Sequence, residues 1–356
     1  MSYEYSEDGL VERASQEVLE QLGWDVKTAW HNESFSVKDD RSDGLLGRAN
    51  KSEVILQRYL KKALIELNPG LPNTAYQNAI DFIIQTEADK SLGALNKQKH
   101  ELLTKGVQVS YQDDKGKLQK KRLKMFNFNQ PKKNHFLAVR QFEVVGKLYN
   151  RRPDIVGFVN GIPLVFFELK AHHTDLRNAF EDNLTDYKDT IPEVLHSNAF
   201  IILSNGTDSR VGTVTSPYKF FLEWKRIEEN EKGEVSLDTM LRGTCDKTRL
   251  LDLFENFLLF DGEGDDVVKI MAKNHQFIGV NKVVEQAKNI EDLKGKLGVF
   301  WHTQGSGKSY SMVFICQKIL RKFGKSYTFL IVVDRTELEH SGGVALRLKR
   351  FGNRPK

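Results

Sequence analysis

The sequence predicts an α/β protein built in two parts. Through the first 255 residues, apolar residues recur at helical and at strand-like spacing in alternation. The order then changes to helix, strand, Gly-rich loop, helix, strand, which is one α/β unit of a parallel sheet. A chain of 356 residues also exceeds one ordinary core at roughly 150 residues per domain.

The elements follow in order. Leu10, Val11, Ala14, Val18, Leu19 and Leu22 fall near helical spacing, and Gly23 ends the run. Residues 51–66 read as a second helix, broken by "PGLPN", and "AYQNAIDFIIQ" begins a third. Residues 106–112 and 119–127 alternate around "DDKGK" and predict a hairpin. "FLAVRQFEVVG" at 136–146 is a strand, followed by "DIVGFVNG" and "IPLVFFELKA". A polar helix near 176–189 and the strand "AFIILSNG" come next. Residues 247–260 are amphipathic and predict a helix, and "DGEGDD" after it reads as a hinge. The domain boundary is therefore expected near 250–265, dividing 1–255 from 256–340. In the second part, "GVNKVVEQAKN" is a helix, "LGVFW" a strand, "MVFICQKILRKF" a helix and "YTFLIVVD" a strand.

Composition excludes several classes. Hydrophobic residues are 40% and charged residues 28%, which describes a globular chain rather than a disordered one. No apolar run approaches the ~20 residues of a membrane helix. The start "MSYEYSEDGLVERASQ" is acidic and polar, unlike a signal peptide. Cys245 and Cys316 match no metal spacing, and a cytoplasmic location is expected. The net charge is +5, yet residues 115–124, "KGKLQKKRLK", carry six basic residues and no acid. Two readings stand for that run: a solvated strand pair, or a surface that faces phosphates.

"RPDIVGFVNGIPLVFFELK" concentrates the chemistry of the first part. An apolar run ends in Glu168 and Lys170, and a buried charge costs several kcal/mol unless it is paired or metal-bound. Glu168 and Lys170 are two apart and share a strand face. Asp154 begins the preceding strand, so register decides whether it joins them. A two-residue Asn160-Gly161 loop pairs Val159 with Ile162 and sets Asp154 across from Phe167, on the wrong side. A three-residue loop, or an equivalent bulge, sets Asp154 across from Glu168. The odd register is expected, because three-residue hairpin loops with Gly in a left-handed position are common; two carboxylates and an amine on one face then suit metal-assisted phosphodiester hydrolysis. Hard oxygen ligands select Mg²⁺. The competing reading is a structural Glu–Lys pair at a strand end. Asn183 and Tyr187 lie four apart on the following helix, where they brace the lysine, touch a phosphate, or form a solvated face.

Gly305, Gly307, Lys308 and Ser309 lie between an apolar strand and a helix, the context a phosphate-binding loop requires. Backbone N–H groups there cradle phosphates, Lys308 reaches the β- and γ-phosphates, and Ser309 holds Mg²⁺. His302 stands where the strict pattern begins with Gly. Upstream, the Gln276 amide is suited to reading both edges of an adenine.

Taken together, "RPDIVGFVNGIPLVFFELK", "NLTDYKDTIP", "NAFIILSNG", "HQFIGVNKVVEQ", "FWHTQGSGKSYSM" and "VVDRTELEH" resemble, in order, the motifs of the restriction (motor/nuclease) subunit of type I restriction–modification enzymes. The resemblance covers roughly residues 5–340. It implies a PD-(D/E)xK nuclease domain, a mixed sheet flanked by helices. The start of a RecA-like, superfamily 2 helicase-like motor follows. It implies Mg²⁺ and ATP as cofactors, unmethylated double-stranded DNA as substrate, and modification and specificity subunits as partners. By position, Asp154, Glu168 and Lys170 match the nuclease motif, and Glu12 the family's N-terminal acidic position, a third metal-side carboxylate. Tyr187 fits the Gln-x-x-x-Tyr form and Asn183 departs from it by one methylene. Gln276 matches the adenine-reading position, Asp334-Arg335-Thr336 the segment after the second motor strand, and a His302 start is normal for the family. After His340 the basic stretch "SGGVALRLKRFGNRPK" resembles nothing in the family. No Asp-Glu-x-His motif is visible, so weak or no ATP turnover is expected. A helicase-associated repair nuclease is disfavoured because its carboxylate motif usually follows the motor. A non-catalytic DNA-binding or docking module stays open.

Overall fold

The computed structural model describes residues 7–332, apart from 88, 114, 325 and 326. In chain order the elements are α1 (Glu7–Gln21), β1 (Asp25–Thr28), α2 (Gln57–Leu67), α3 (Asn73–Ile84), α4 (Leu92–Lys105), β2 (Val107–Gln112), β3 (Leu118–Leu123), β4 (Phe136–Arg140), β5 (Val144–Val145) and β6 (Asn150–Arg151). They continue with β7 (Ile155–Val159), β8 (Ile162–Leu169), α5 (Leu176–Asn178), which runs through a π-turn (Ala179–Leu184) into α6 (Thr185–Thr190), β9 (Phe200–Ser204) and β10 (Ser209–Gly212). The last are α7 (Leu237–Cys245), α8 (Lys247–Asn256), β11 (Leu258–Asp261), β12 (Val268–Met271), α9 (Asn274–Lys288) and α10 (Lys308–Phe323).

The frame is a six-stranded mixed sheet in the order β1-β4-β7-β8-β9-β10. β7 and β8 are antiparallel and central, and β8 runs parallel to β9. Every residue of both strands is buried, as expected when both faces of a sheet are covered. One face packs against α1, α2, α3, α7, α8, α9 and α10 through a cluster that includes Trp24, Phe136, Phe167, Phe257, Phe277 and Phe314. The other face packs against α5, α6 and the loops around Phe142 through Phe158, Phe166, Tyr187 and Ile201.

Several expectations are corrected. The helix anticipated at 51–66 starts only at Gln57, and the one at 247–260 stops at Asn256 because Leu258–Asp261 forms β11. "DGEGDD" is no hinge: it closes the β11–β12 hairpin, turning through Gly262 at φ +83° and Gly264 at φ +57°. Asp265 Oδ1 accepts the Ser91 N–H at 3.0 Å and pins that turn to the start of α4. The motor strands do not form in the described residues: 297–301 and 327–332 belong to no ladder. A parallel strand needs neighbours for its N–H and C=O groups, and none is placed there. Val299 is 94% exposed and Trp301 77%. The RecA-like parallel sheet is thus absent among the described residues, while α9, the loop and α10 are formed. Asp334-Arg335-Thr336 and the stretch after His340 lie outside the described residues. Among the described residues no helix is long and apolar enough to cross a membrane.

Candidate active site

The Asn160-Gly161 turn has two central residues, with φ of +51° and +80°, the left-handed pair that a two-residue hairpin loop uses. Asn160 tolerates this because its side chain is fully engaged. Nδ2 donates to Met125 O at 3.0 Å and to Asn134 Oδ1 at 2.9 Å, and Oδ1 accepts the His135 N–H. Val159 therefore pairs with Ile162, the register that alone would misplace Asp154. The correction comes from a β-bulge. Phe158 pairs with Pro163 but Gly157 pairs with Val165, so Leu164 is the extra residue. Its freed carbonyl accepts from Ala199 N at 2.6 Å and from Asn198 Nδ2 at 3.2 Å. Beyond the bulge Ile155 pairs with Phe167, which sets Asp154 across from Glu168 and on its face.

Glu168 is 1% exposed and accepts from Lys170 Nζ at 2.8 Å. Asp154 Oδ2 accepts the Leu169 N–H at 2.7 Å. Burial first, and then the Glu168 carboxylate, hold the Asp154 carboxyl well above the usual carboxylate range; the Leu169 N–H and Lys170 oppose this. Tyr187 sits over this face, its ring edge-on to Phe166 at 5.5 Å. Burial first, then the charges of Glu168 and Asp154, push its phenol up; its hydrogen bond with Glu168 adds to this, while that with Asn183 opposes it. The π-turn lies between α5 and α6 and contains Asn183, so the expected four-residue spacing is re-aimed.

Two buried carboxylates that repel one another across a strand pair are a donor set that fits a hard divalent cation, since a cation between them removes the repulsion. Glu12 does not complete a three-carboxylate cage. It is 1% exposed and accepts from Arg140 Nη2 at 2.9 Å and from Gln141 Nε2. Among the described residues no three His, Cys, Asp or Glu side chains converge as metal ligands. Glu12 acts instead on the support of the site, because the Gln141 N–H donates to Asp154 O at 2.7 Å. Arg140 and Gln141 went unrecognised in the sequence. The available signal was the one that marked Glu168, polar residues interrupting an apolar strand. Cys245 and Cys316 are free and buried, with burial pushing their thiols up to about 12 and about 11, so neither is a thiolate at neutral pH.

The phosphate loop lies apart from this hairpin. Gly305 and Gly307 have φ of +76° and +94°, and α10 starts at Lys308. Lys308 Nζ folds back to donate to His302 O at 2.9 Å and Thr303 O at 3.1 Å. Gln276 is 3% exposed. Its Nε2 donates to Gly307 O at 2.8 Å and its Oε1 accepts the Lys273 N–H at 2.8 Å. Both ends of the amide are engaged, so Gln276 braces the phosphate loop against the start of α9.

With the bulged hairpin and its two carboxylates in place, the family can be stated. Residues 4–220 match the family described as type I restriction enzyme R protein N terminus, and the chain belongs to that family. Residues 275–346 match the SWI2/SNF2 ATPase family. The chain is 33% identical to the type I restriction enzyme HindI endonuclease subunit of Haemophilus influenzae over 92% of its own length and 32% of that protein's. It is 29% identical to the type I restriction enzyme MjaIXP endonuclease subunit, a protein so named as putative, of Methanocaldococcus jannaschii, over 94% of its length and 33% of that protein's. The chain thus spans about a third of the curated relatives it matches.

Proposed function

We propose that this chain is the Mg²⁺-dependent endonuclease part of a type I restriction enzyme R subunit, a site-specific deoxyribonuclease that hydrolyses phosphodiesters of double-stranded DNA. The observation that carries the reading is the bulge at Leu164, which sets Asp154 across from Glu168 with Lys170 on the same face. Asp154 and Glu168 would hold the cation, whose chemistry is to polarise the scissile phosphate and lower the pKa of a bound water. The Lys170 ammonium orients that water and stabilises the negative charge that develops on the phosphate. Tyr187, with Asn183, fixes the Glu168 carboxylate by packing and hydrogen bonding. In the longer protein, cleavage is coupled to ATP-driven translocation, with modification and specificity subunits as partners. Gly305, Gly307, Lys308 and Ser309 bind the ATP phosphates, with Lys308 swinging from the His302 and Thr303 carbonyls to reach them. The likeness to endonuclease subunits and to an ATPase family supports both halves of this reading.

The test is Mg²⁺-dependent nicking of supercoiled DNA by the chain and three variants. Activity is expected to survive Lys308→Ala and to fall at least 100-fold in Asp154→Ala and Lys170→Ala, the scale on which removing electrostatic stabilisation acts. Equal activity in all three would sink the assignment. A flat calorimetric titration of Mg²⁺ with Asp154 intact would favour a non-catalytic DNA-binding role.

A further inference from the structure

We propose that the β2–β3 ribbon is a phosphate-binding arm that holds duplex DNA at the end of the central sheet opposite Asp154 and Glu168; this rests on the endonuclease reading above. The first ground is the distribution of charge. Residues 115–124 carry six cations, while the whole chain carries a net +5. With Asp113 and Asp114 in its turn the ribbon, residues 107–124, carries a net +4, so most of the chain's net +5 is concentrated there. The second ground is presentation. The pairing Val107↔Leu123 through Gln112↔Leu118 puts Val107, Val109 and Leu123 on the core side, with Lys121 at the exposed margin of that side, opposite Val109. Gln108, Ser110 and Gln112 lie opposite Arg122, Lys120 and Leu118 on the outer side. That outer face has no acid.

The third ground is that these charges are uncommitted. Lys115, Lys117, Lys120, Lys121 and Lys124 are exposed, and none enters an ion pair among the described residues. Asp113, the first of the two acids in the "DDKGK" turn, accepts the N–H groups of Lys115 and Lys117 and the Gln119 amide, so it closes the turn and does not bind a lysine ammonium among the described residues. A folded surface rarely concentrates like charge without opposing it, because the repulsion is unfavourable unless a polyanion or its counterions relieve it. The fourth ground is position. Asn160 Nδ2 donates to Met125 O, which ties the end of β3 to the β7–β8 turn, remote from Asp154. Arg58, Lys62 and Lys133 line a cavity with Asn160 and Glu66 at that same end, where cations outnumber the acid. Five residues of β7 span about 16 Å, roughly five base pairs at ~3.4 Å each.

The experiment measures binding of a short fluorescent duplex by anisotropy in EDTA, between about 50 and 200 mM salt. Lys117→Gln/Lys120→Gln/Lys121→Gln is expected to flatten the slope of log K against log salt by about 2–3, at ~0.9 per lost phosphate contact, and to weaken binding at least tenfold at the low-salt end. The charge-preserving triple Arg variant is expected to keep the parent slope. Cleavage per bound complex at saturating DNA stays within twofold, because these lysines are far from the reacting phosphate. An unchanged slope in the Gln variant overturns the proposal and leaves the ribbon a solvated face; so does absence of DNA binding by the parent chain. The two readings separate cleanly. Asp154→Ala that still cleaves defeats the endonuclease assignment, whereas binding and its salt slope, measured in EDTA without cleavage, decide the arm.

Discussion

At the residue scale, Asp154 sets a conflict that the site uses. Its carboxyl is raised by burial and by Glu168, so the folded state binds its proton more tightly than the unfolded chain. The sign follows: this group favours the folded state most below the ordinary value of 3.8 and loses that contribution as pH rises through the raised folded value. Asp154→Asn removes the charge and keeps the acceptor for the Leu169 N–H. The variant is expected to be more stable than the parent at pH 7–8 by on the order of 1–3 kcal/mol, with the difference shrinking as pH falls toward 4. Urea unfolding at several pH values checks it. Mg²⁺ is expected to raise the Tm of the parent at neutral pH and not that of Asp154→Asn, since a ligand stabilises only the state that binds it. A variant less stable than the parent at pH 8 would show that Asp154 is paired more fully than its burial indicates.

At the element scale, the bulge is the feature on which the site turns, and it shows how far sequence reaches. The apolar run ending in Glu168 and Lys170 announced a strand with charges at its end, and the need for an odd register was arithmetic. The chain placed the odd residue inside β8 rather than in the loop, because Asn160 has partners that stabilise its left-handed turn while Leu164 finds donors in Ala199 and Asn198. Those donors are over thirty residues away, beyond any local pattern. The same limit explains Gln276, whose partners lie on the phosphate loop, and Arg140 and Gln141, whose partner Glu12 is on α1. Asn198 is 2% exposed, and its Nδ2 also donates to Phe200 O at 2.8 Å. Asn198→Ala is therefore expected to cost about 1–3 kcal/mol, the penalty for a buried acceptor left short of a donor. It should also lower cleavage more than a substitution of equal cost elsewhere in the core. Equal loss of stability with undiminished cleavage per folded molecule would mean that the bulge holds without it.

At the scale of the whole molecule, the sequence suggested two bodies meeting near 255/256, and composition could not show what joins residues on either side. A relay of aromatic side chains crosses that point. Phe314 of α10 meets Phe257 with ring centres 5.6 Å apart, Phe257 meets Phe277 of α9 at 4.7 Å, and Phe277 meets Trp224 at 5.6 Å. Trp24 Nε1 donates to Cys245 O at 2.9 Å beside them, and its ring packs on Phe136 and against Gly157 of β7. Lys318 on α10 is 10% exposed and pairs with Asp252 on α8, a second clamp across the same point. The segment around α9 and α10 thus shares a core with the sheet that carries the carboxylates. Phe314 is fully buried, so Phe314→Ala is expected to destabilise by about 3–5 kcal/mol. Because the core is continuous, that cost should reach the amides of β8, whose hydrogen exchange should speed up by the same free energy when measured under conditions of global opening. Exchange at β8 that stays at the parent rate while α10 exchanges faster would divide the molecule into two independently stable bodies, and would leave the shared cluster as contact without cooperativity.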